Sequence, residues 1–401
     1  MIDVIENIVV SQITHYFDDF PASFRKYLVN RLKWERLGLA NGKIVVNSYF
    51  PPFPSKAFKS AVEAWRSIMS GVNVPEISTI AVTNRCPYNC DYCSVRDKTI
   101  HDLPRSLLVK IIQSLQEMGT YNVSLTGGEP LLRDDIEDII NSVDSRSIVK
   151  LFSTGYTLTK ERANALKKAG LYSINISLHN SDPRKHDAGS RFEGAFEIAL
   201  NAIQNSKAAS LVTCVATIAT KERIISGELF HFLKFMKELG VDEVTVFEPI
   251  PVGRLAFCDN AILDEDERVI LKRLHKNANE KYKSDYPRVF AFPYLESSEY
   301  MGCGAGSTRL HVTALGEVLP CDFTHLSFGN ITEEDIKMIW ERMNKSFKKP
   351  CASCFALDNY KFLRELNCTL SDTMNSHLSS IDKYFIRGEV LPDFYQNLLE
   401  S

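Results

Sequence analysis

Three cysteines lie close together in the chain, at Cys86, Cys90 and Cys93, with the spacing C-x3-C-x2-C. The β-branched, alternating segment 77–83 before them predicts a strand, so the cysteines fall on the loop that follows it. In α/β folds, such loops carry most of the chemistry. A fully ligated [4Fe–4S] cluster needs four cysteines, so three thiolates leave one iron open to a substrate or cofactor.

Structural zinc, or a chance grouping, is the alternative for these three cysteines. Zinc sites favour paired C-x2-C units, and a lone C-x3-C-x2-C lacks its fourth ligand. The spacing therefore favours a cluster with an open iron.

The cysteine motif, with Tyr92 just before its last cysteine, resembles the signature of the radical S-adenosylmethionine (SAM) superfamily. Segments 126–130 (TGGEP), 173–178 and 251–254 resemble further parts of that superfamily, in the same order. The resemblance implies that the three cysteines hold the cluster that binds SAM. It implies contacts between SAM and six residues: Tyr92, Gly127, Gly128, Glu129, Ser177 and Arg191.

Each of these contacts has a simpler alternative. The pair Gly127-Gly128 also suits an ordinary strand-to-helix turn, although glycines let a backbone approach a ligand closely. Ser177 could cap a loop rather than contact the ribose. Arg191 could be a solvated arginine rather than a clamp on the SAM carboxylate. Tyr92 could be a core residue rather than a platform for adenine.

The rest of the chain from residue 77 alternates strands and helices. Glycines at positions 119, 170 and 240 fall where helices are expected to end. Six βα units in sequence imply a parallel sheet with right-handed crossovers, and we expect an α/β fold built on an open, TIM-like partial (β/α)6 barrel. The predicted strands are 77–83, 121–126, 147–153, 173–178, 210–218 and 243–248.

A second cysteine set follows the predicted barrel, at Cys303, Cys321, Cys351 and Cys354. Its spacing resembles the SPASM and twitch extensions of radical SAM enzymes, which implies an auxiliary [4Fe–4S] cluster. Tyr360 stands where a full SPASM domain would have its next cysteine, so one auxiliary cluster fits better than two. Four thiolates also suit structural zinc. Cys368 is a spare thiol or an alternative ligand, and the isolated Cys214 is predicted to be a core strand residue.

Residues 1–75 lie outside both resemblances and are predicted to form an α-helical extension. Segment 24–36 reads as a basic amphipathic helix that either docks on its own protein or attaches residues 1–40 to a membrane surface. Ser55 is predicted to cap a helix that runs through Trp65. The predicted domains are therefore 1–75, a barrel over 76–295, and a small cysteine-rich auxiliary-cluster domain over 296–401.

The composition excludes several classes of protein. The 401 residues have 44% apolar and 24% charged side chains and a net charge of −3, which is ordinary for a soluble globular protein and predicts no nucleic-acid partner. The acidic N-terminus does not resemble a secretory signal, and no apolar run is long enough to cross a bilayer. We therefore expect a cytoplasmic protein, where ten cysteines are better explained by metal binding than by disulfides.

The resemblance implies an enzyme that reductively cleaves SAM and uses the 5′-deoxyadenosyl radical to take hydrogen from a substrate carbon. The auxiliary cluster favours net oxidation or cross-linking, with epimerisation and C–C bond formation also open. The substrate could be a peptide, a small metabolite or a lipid, and the electron donor a flavodoxin or ferredoxin. No catalytic acid or hydrogen donor is assigned. The alternatives are a non-catalytic iron–sulfur electron carrier and a zinc-stabilised interaction protein.

Overall fold

The computed structural model describes residues 15–40, 42–95, 102–369 and 390–400, without the side chains of 366–369. Its strands, numbered β1 to β11 in chain order, are Gly38–Ala40, Lys43–Val45, Ile77–Ala81, Asn122–Thr126, Ile148–Ser153, Ser173–Ser177, Val212–Ile218, Glu243–Phe247, Arg288–Ala291, Arg309–Val312 and Val318–Leu319. The α-helices of these described residues are Ala22–Leu32, Lys56–Met69, Arg105–Glu117, Ile136–Asn141, Lys160–Lys168, Pro183–Ser190, Ala195–Ala208, Lys221–Ile225, Glu228–Glu238, Glu265–Glu280, Phe292–Leu295, Ile336–Ser346, Phe355–Asp358, Tyr360–Thr369 and Asp393–Leu399.

The six predicted barrel strands form consecutive neighbours β3 to β8 in one parallel sheet, which confirms the predicted α/β partial barrel. These strands are almost continuously buried, as parallel strands covered by helices must be. The three glycines predicted to end helices adopt the expected left-handed backbone conformation. Gly119, Gly170 and Gly240 have φ values of 103°, 106° and 68°. Such left-handed positions end a helix at little cost only in glycine. Cys214 is fully buried on β7, as predicted.

The sheet continues beyond the six strands at both edges. β9 adds in parallel beside β8, and β10 adds in parallel beside β3, with His311 opposite Thr79. β11 then pairs antiparallel with β10. Strands on either side of the predicted domain boundary between residues 295 and 296 thus belong to one sheet. The second cysteine set is thereby attached to β3, the strand that precedes the first cysteine set.

The chain before the sheet closes the amino-terminal end of the barrel. The Ser48 backbone N–H and hydroxyl donate to the Glu243 carboxylate at 2.9 and 2.6 Å, and the Lys150 ammonium donates to the Ser48 hydroxyl at 3.1 Å. The Asn122 side chain donates to the Tyr49 carbonyl at 2.8 Å. Buried charges are retained where they are paired in this way. These contacts cover the amino ends of β4, β5 and β8, beside a mostly apolar cavity of about 1150 Å³ that Tyr49 helps to line.

The basic N-terminal helix packs on its own protein. The observed helix is Ala22–Leu32, and it buries Phe24 and Tyr27 in an aromatic cluster that also contains Trp65 and Phe394. The Ser55 hydroxyl accepts the Phe58 N–H at 2.9 Å, which confirms the predicted cap. The predicted membrane attachment stays a prediction, and residues 1–14 of the segment lie outside the described part of the chain. Among the described residues, every helix is too short or too polar to cross a bilayer.

Glu76 joins the N-terminal segment, the barrel and the C-terminal helix. Its fully buried carboxylate accepts hydrogen bonds from Trp65 Nε1 at 2.7 Å, the Tyr121 hydroxyl at 3.2 Å and the Tyr395 hydroxyl at 3.1 Å. Burial raises the pKa of Glu76 to about 7, although these three donors oppose the rise. Desolvation therefore outweighs the hydrogen bonds.

This raised pKa predicts that the free energy of unfolding falls with rising pH. Glu76 stays protonated up to about pH 7 in the folded chain but only up to about pH 4.5 in the unfolded chain. Its contribution to the free energy of unfolding is therefore complete below about pH 4.5 and is lost as the pH rises through about 7. The full change is roughly 3 kcal/mol. Denaturant unfolding of wild type and Glu76→Gln at pH 5 and pH 8 measures it, and the glutamine variant should lose most of this dependence.

The exposed Glu197→Gln controls for loss of a carboxylate, and it should keep the wild-type pH dependence. If the free energy of unfolding changed equally between pH 5 and pH 8 in wild type and in Glu76→Gln, the prediction would be wrong.

Candidate active site

The first three cysteines lie where the sequence predicts, on the loop after β3. All three are partly buried, and the Cys93 N–H donates to the Cys90 carbonyl at 3.3 Å, which makes a tight turn. Burial raises the pKa of the Cys86 thiol to about 12, and the neighbouring Cys90 and Cys93 add to that rise. Three soft thiol donors on one short loop, close enough to influence one another, fit an iron–sulfur cluster.

Gly127 and Gly128 pack directly against the start of the cysteine loop. The Gly128 N–H donates to the Thr83 carbonyl and the Glu129 N–H to the Arg85 carbonyl, both at 2.7 Å. A Cβ atom on Gly128 would overlap the Arg85 carbonyl oxygen, and one on Gly127 would overlap that of Thr83. The two glycines are therefore required for the contact between β4 and the loop that carries the cysteines.

The Glu129 carboxylate is occupied within the protein. It accepts four hydrogen bonds, from the Leu131 N–H at 3.0 Å, the Ser153 hydroxyl at 2.8 Å, the Thr154 N–H at 2.7 Å and the Thr154 hydroxyl at 2.6 Å. Burial raises the pKa of Glu129, although these donors oppose the rise. The side chain thus joins the ends of β4 and β5, while its predicted contact with SAM stays a prediction.

A cavity of about 880 Å³ opens at the carboxyl ends of the strands. Its walls come from the cysteine loop, from the ends of β4 to β8 and from Phe323 in the C-terminal segment. Four of the six predicted SAM contacts line this cavity, while Glu129 and Arg191 lie outside its walls. The four are Tyr92, Gly127, Gly128 and Ser177.

Tyr92 is held in place on the cysteine-loop side of the cavity. Its hydroxyl hydrogen-bonds with the Ser190 hydroxyl at 3.3 Å, and its ring packs edge-on against the His179 imidazole with centroids 4.4 Å apart. Burial holds the pKa of His179 well below its usual range, so the imidazole is neutral at pH 7. This wall of the cavity therefore offers aromatic surface rather than positive charge.

Arg191 contacts the cysteine loop directly. It follows the helix Pro183–Ser190 with a left-handed φ of 49°, and its Nε lies 2.5 Å from Asp91 Oδ1. The Asp91 N–H donates to the Gly189 carbonyl at 2.9 Å. Arg191 thus fixes the loop to a helix, and its predicted contact with the SAM carboxylate stays a prediction.

The predicted turn 251–254 packs on the same loop from the opposite side. The Arg254 N–H donates to the Cys93 carbonyl at 3.0 Å, and a Cβ atom on Gly253 would overlap that carbonyl oxygen. Val252 also lines the cavity.

Glu248 is a cavity residue that the sequence analysis missed. Its carboxylate is the only one among the described residues of the lining, its side chain is 8% exposed, and Arg268 Nε lies 2.8 Å from Oε2. Burial raises the pKa of Glu248, which Arg268 opposes. The sequence position of Glu248 could have identified it as a cavity residue, because it directly follows the end of β8. A carboxylate held this way can orient a hydrogen-bond donor of a bound molecule.

The second cysteine set also comes together. Cys303 and Cys351 form an isolated antiparallel bridge, with N–H to carbonyl distances of 2.7 and 2.9 Å in the two directions. Cys354 hydrogen-bonds with the Cys303 sulfur, which lowers the pKa of Cys303 and raises that of Cys354. Burial raises the pKa of Cys321, and Cys303 adds to that rise. Four buried or partly buried sulfurs in one region fit the predicted auxiliary cluster.

A carboxylate that the sequence analysis missed lies beside these cysteines. One ligand atom each of Glu296, Cys303 and Cys354 lies within 4.8 Å of the others, and Arg309 Nη1 lies 3.0 Å from Glu296 Oε1. The sequence gives no signal for Glu296, because it stands seven residues before Cys303 in a segment with several acidic residues. The fold, rather than local spacing, brings it to the cysteines.

Tyr360 occupies the position at which a second auxiliary cluster would need a cysteine. Its hydroxyl donates to Asp259 at 3.4 Å, and the Arg364 guanidinium lies 2.8 Å from the same carboxylate. Both side chains line a second cavity of about 660 Å³, which shares Val252 and Phe323 with the first. The side chain of Cys368 lies outside the described residues.

Comparisons with known proteins match both cysteine regions to families. Residues 80–222 match the radical SAM superfamily, and residues 303–356 match SPASM, an iron–sulfur cluster-binding domain. An AdoMet-dependent heme synthase from Methanosarcina barkeri is 25% identical over 71% of this chain and 92% of its own. A PqqA peptide cyclase from Methylocella silvestris is 26% identical over 68% of this chain and 78% of its own.

A solved structure shares the fold. Streptococcus suis SuiB bound to the precursor peptide SuiA aligns with a TM-score of 0.60 at 15% identity, over 83% of this chain and 79% of SuiB. At that identity the likeness concerns the fold alone.

Proposed function

Because this chain combines a radical SAM domain with a SPASM domain, we propose that it cleaves SAM reductively and oxidises or cross-links a peptide through hydrogen abstraction. One observation carries this proposal. A single cavity is bounded on one side by the cysteine loop and the Gly127–Gly128 segment, and on the other by Phe323, two residues after Cys321. A substrate in this cavity lies between the two cysteine sets.

Cys86, Cys90 and Cys93 hold the first cluster in this proposal, and the SPASM cysteines hold an auxiliary cluster. Bound by the first three cysteines with one iron open, a [4Fe–4S] cluster would supply the electron for reductive cleavage of SAM, and the radical so formed would take hydrogen from a substrate carbon. The protein supplies geometry. The Gly127–Gly128 backbone lies beside the cysteine loop, and Ser177 and Tyr92 bound the same space.

The cavity wall is partly apolar. Phe152, Ile218, Phe247 and Phe323 form the apolar part of a lining that also contains polar side chains such as Ser153 and Glu248. Apolar walls limit side reactions of a radical formed beside them and strengthen the polar contacts made there. Glu248, held by Arg268, is the group that orients the substrate through one hydrogen bond.

A peptide is the substrate class that the relatives favour. One is a PqqA peptide cyclase, and SuiB was solved with a precursor peptide. The second cavity, which meets the first at Val252 and Phe323, gives room for residues that flank the reacting one. The heme synthase favours a small molecule as the competing class. A flavodoxin or ferredoxin supplies the electrons.

We expect a peptidase to destroy the substrate. Iron-loaded protein with SAM and dithionite should form 5′-deoxyadenosine at least about tenfold faster when a filtrate of source cells below 10 kDa is added, since substrate binding orients the reacting groups. Treatment of the filtrate with a broad peptidase, followed by its removal, should abolish this stimulation.

A filtrate carried through the same steps with heat-inactivated peptidase is the control. Stimulation that survives digestion would contradict a peptide and favour a small metabolite. An electron carrier would form no 5′-deoxyadenosine with any filtrate, and a zinc-stabilised interaction protein would contain no iron.

A further inference from the structure

A short loop connects the second cysteine set to the first. In the segment 321–325, the Phe323 N–H donates to the Cys321 sulfur at 3.4 Å, and the Phe323 side chain lines both cavities. The Thr324 hydroxyl donates to the Cys321 carbonyl at 3.1 Å and is buried. The loop is thus fixed to its own cysteine before it reaches His325.

His325 contacts the cysteine loop of the barrel. Its Nε2 lies 2.9 Å from the Ser94 carbonyl oxygen, and because a carbonyl can only accept, Nε2 carries the hydrogen. Ser94 directly follows Cys93. His325 has a left-handed φ of 46°, a conformation that costs a residue other than glycine roughly 1 kcal/mol or more unless its surroundings hold it. The strained backbone and the hydrogen bond occur at the same residue.

The Cys93–Ser94 segment is held from two sides. The barrel turn holds the Cys93 carbonyl through the Arg254 N–H, and His325 holds the next carbonyl, that of Ser94. The first contact comes from the barrel, whereas the second comes from the segment that carries Cys321. The position of the third cysteine of the motif therefore depends on both parts of the protein.

We propose that His325 is a positioning residue for the SAM site. By holding the Ser94 carbonyl it fixes Cys93 and the direction in which the open iron faces the cavity. Because the loop is anchored at Cys321, formation of the auxiliary centre and binding of SAM stabilise each other, and such coupling is reciprocal. The inference rests on the proposed function, since it takes Cys93 and Cys321 as ligands.

The test measures SAM affinity and the spectrum of the reduced cluster, without any substrate. We expect His325→Ala and His325→Gly to raise the Kd of SAM about tenfold and to change the electron paramagnetic resonance (EPR) signal of the SAM-bound cluster, as loss of one well-placed hydrogen bond would. The glycine variant relieves backbone strain, so an equal effect assigns the loss to the side chain. His325→Gln keeps a donor and should stay within about threefold of wild type.

His231→Ala is the matched control, since within the described part of the chain His231 hydrogen-bonds only to the Gly227 carbonyl, and it lies in an exposed position. Cys321→Ala should raise the Kd of SAM as His325→Ala does. Both substitutions disrupt the same connection between the two cysteine sets, so the Kd of the double variant should be no higher than that of the more weakly binding single variant. Additive losses would overturn the coupling.

Measurements on the wild type distinguish failure of the inference about His325 from failure of the proposed function. If wild type binds SAM and His325→Ala binds it equally well with an unchanged EPR signal, the inference about His325 is wrong and the proposed function stands. If loaded wild type does not bind SAM, the proposed function fails, and the role of His325 fails with it.

Discussion

The substitution Gly128→Ala should abolish SAM cleavage. The added methyl group would overlap the Arg85 carbonyl oxygen and approach the Asn84 carbonyl, and both are backbone atoms of the loop that carries the cysteines. The conflict cannot be relieved by rotating a side chain, so the loop or β4 must move. Displacement of reacting groups by about 1 Å costs about 100-fold in rate, and we expect at least that loss in 5′-deoxyadenosine formation.

Gly189→Ala provides the matched control for this prediction. Gly189 also lies beside the cysteine loop, but a methyl group there would meet only the Tyr92 ring, at 3.4 Å. We expect full iron content and a rate within about twofold of wild type, because an ordinary van der Waals contact is added within a helix. Wild-type SAM cleavage by Gly128→Ala would show that the loop tolerates displacement and would contradict the geometry described for the site.

Much of the barrel could be predicted because its signals are local. Each of the six strands is a short buried run rich in β-branched residues, and Gly119, Gly170 and Gly240 mark where helices end. The positions of Cys86, Cys90 and Cys93 follow from the strand before them. Local backbone preference and burial therefore determine this part of the fold without information on distant contacts.

The edges of the sheet could not be predicted in the same way. Nothing in the sequence of β10 indicates that it pairs with β3, some 230 residues earlier, and β9 was not predicted at all. Pairing between distant strands depends on the packing of the whole domain. This pairing matters for function, because it joins the two cysteine sets through one sheet.

The roles of individual polar residues were also beyond the sequence. The hydrogen bonds that Ser153 and Thr154 donate to the Glu129 carboxylate were not predicted, and the contact of Glu129 with SAM stays a prediction. Glu296 reaches the second cysteine set through tertiary packing alone, whereas the position of Glu248 directly after β8 was a usable signal. A motif gives residue types at a spacing, whereas the partner of each side chain depends on what folds against it.

SAM cleavage by wild type and by Cys90→Ala tests whether the chain carries out radical SAM chemistry. Both are reconstituted anaerobically with iron and sulfide, mixed with SAM and dithionite, and assayed for 5′-deoxyadenosine. The filtrate of source cells is added as well, in case cleavage requires substrate. Wild type should form 5′-deoxyadenosine. Cys90→Ala should form none above background, because two thiolates from this loop do not hold the cluster.

Cys214→Ala is the control, since Cys214 is buried on β7 away from both cysteine sets and its loss should leave the activity in place. We expect formation of 5′-deoxyadenosine that requires Cys90 but not Cys214. Equal formation by wild type and Cys90→Ala, or a wild-type protein that binds iron and SAM but forms none under any of these conditions, would contradict it.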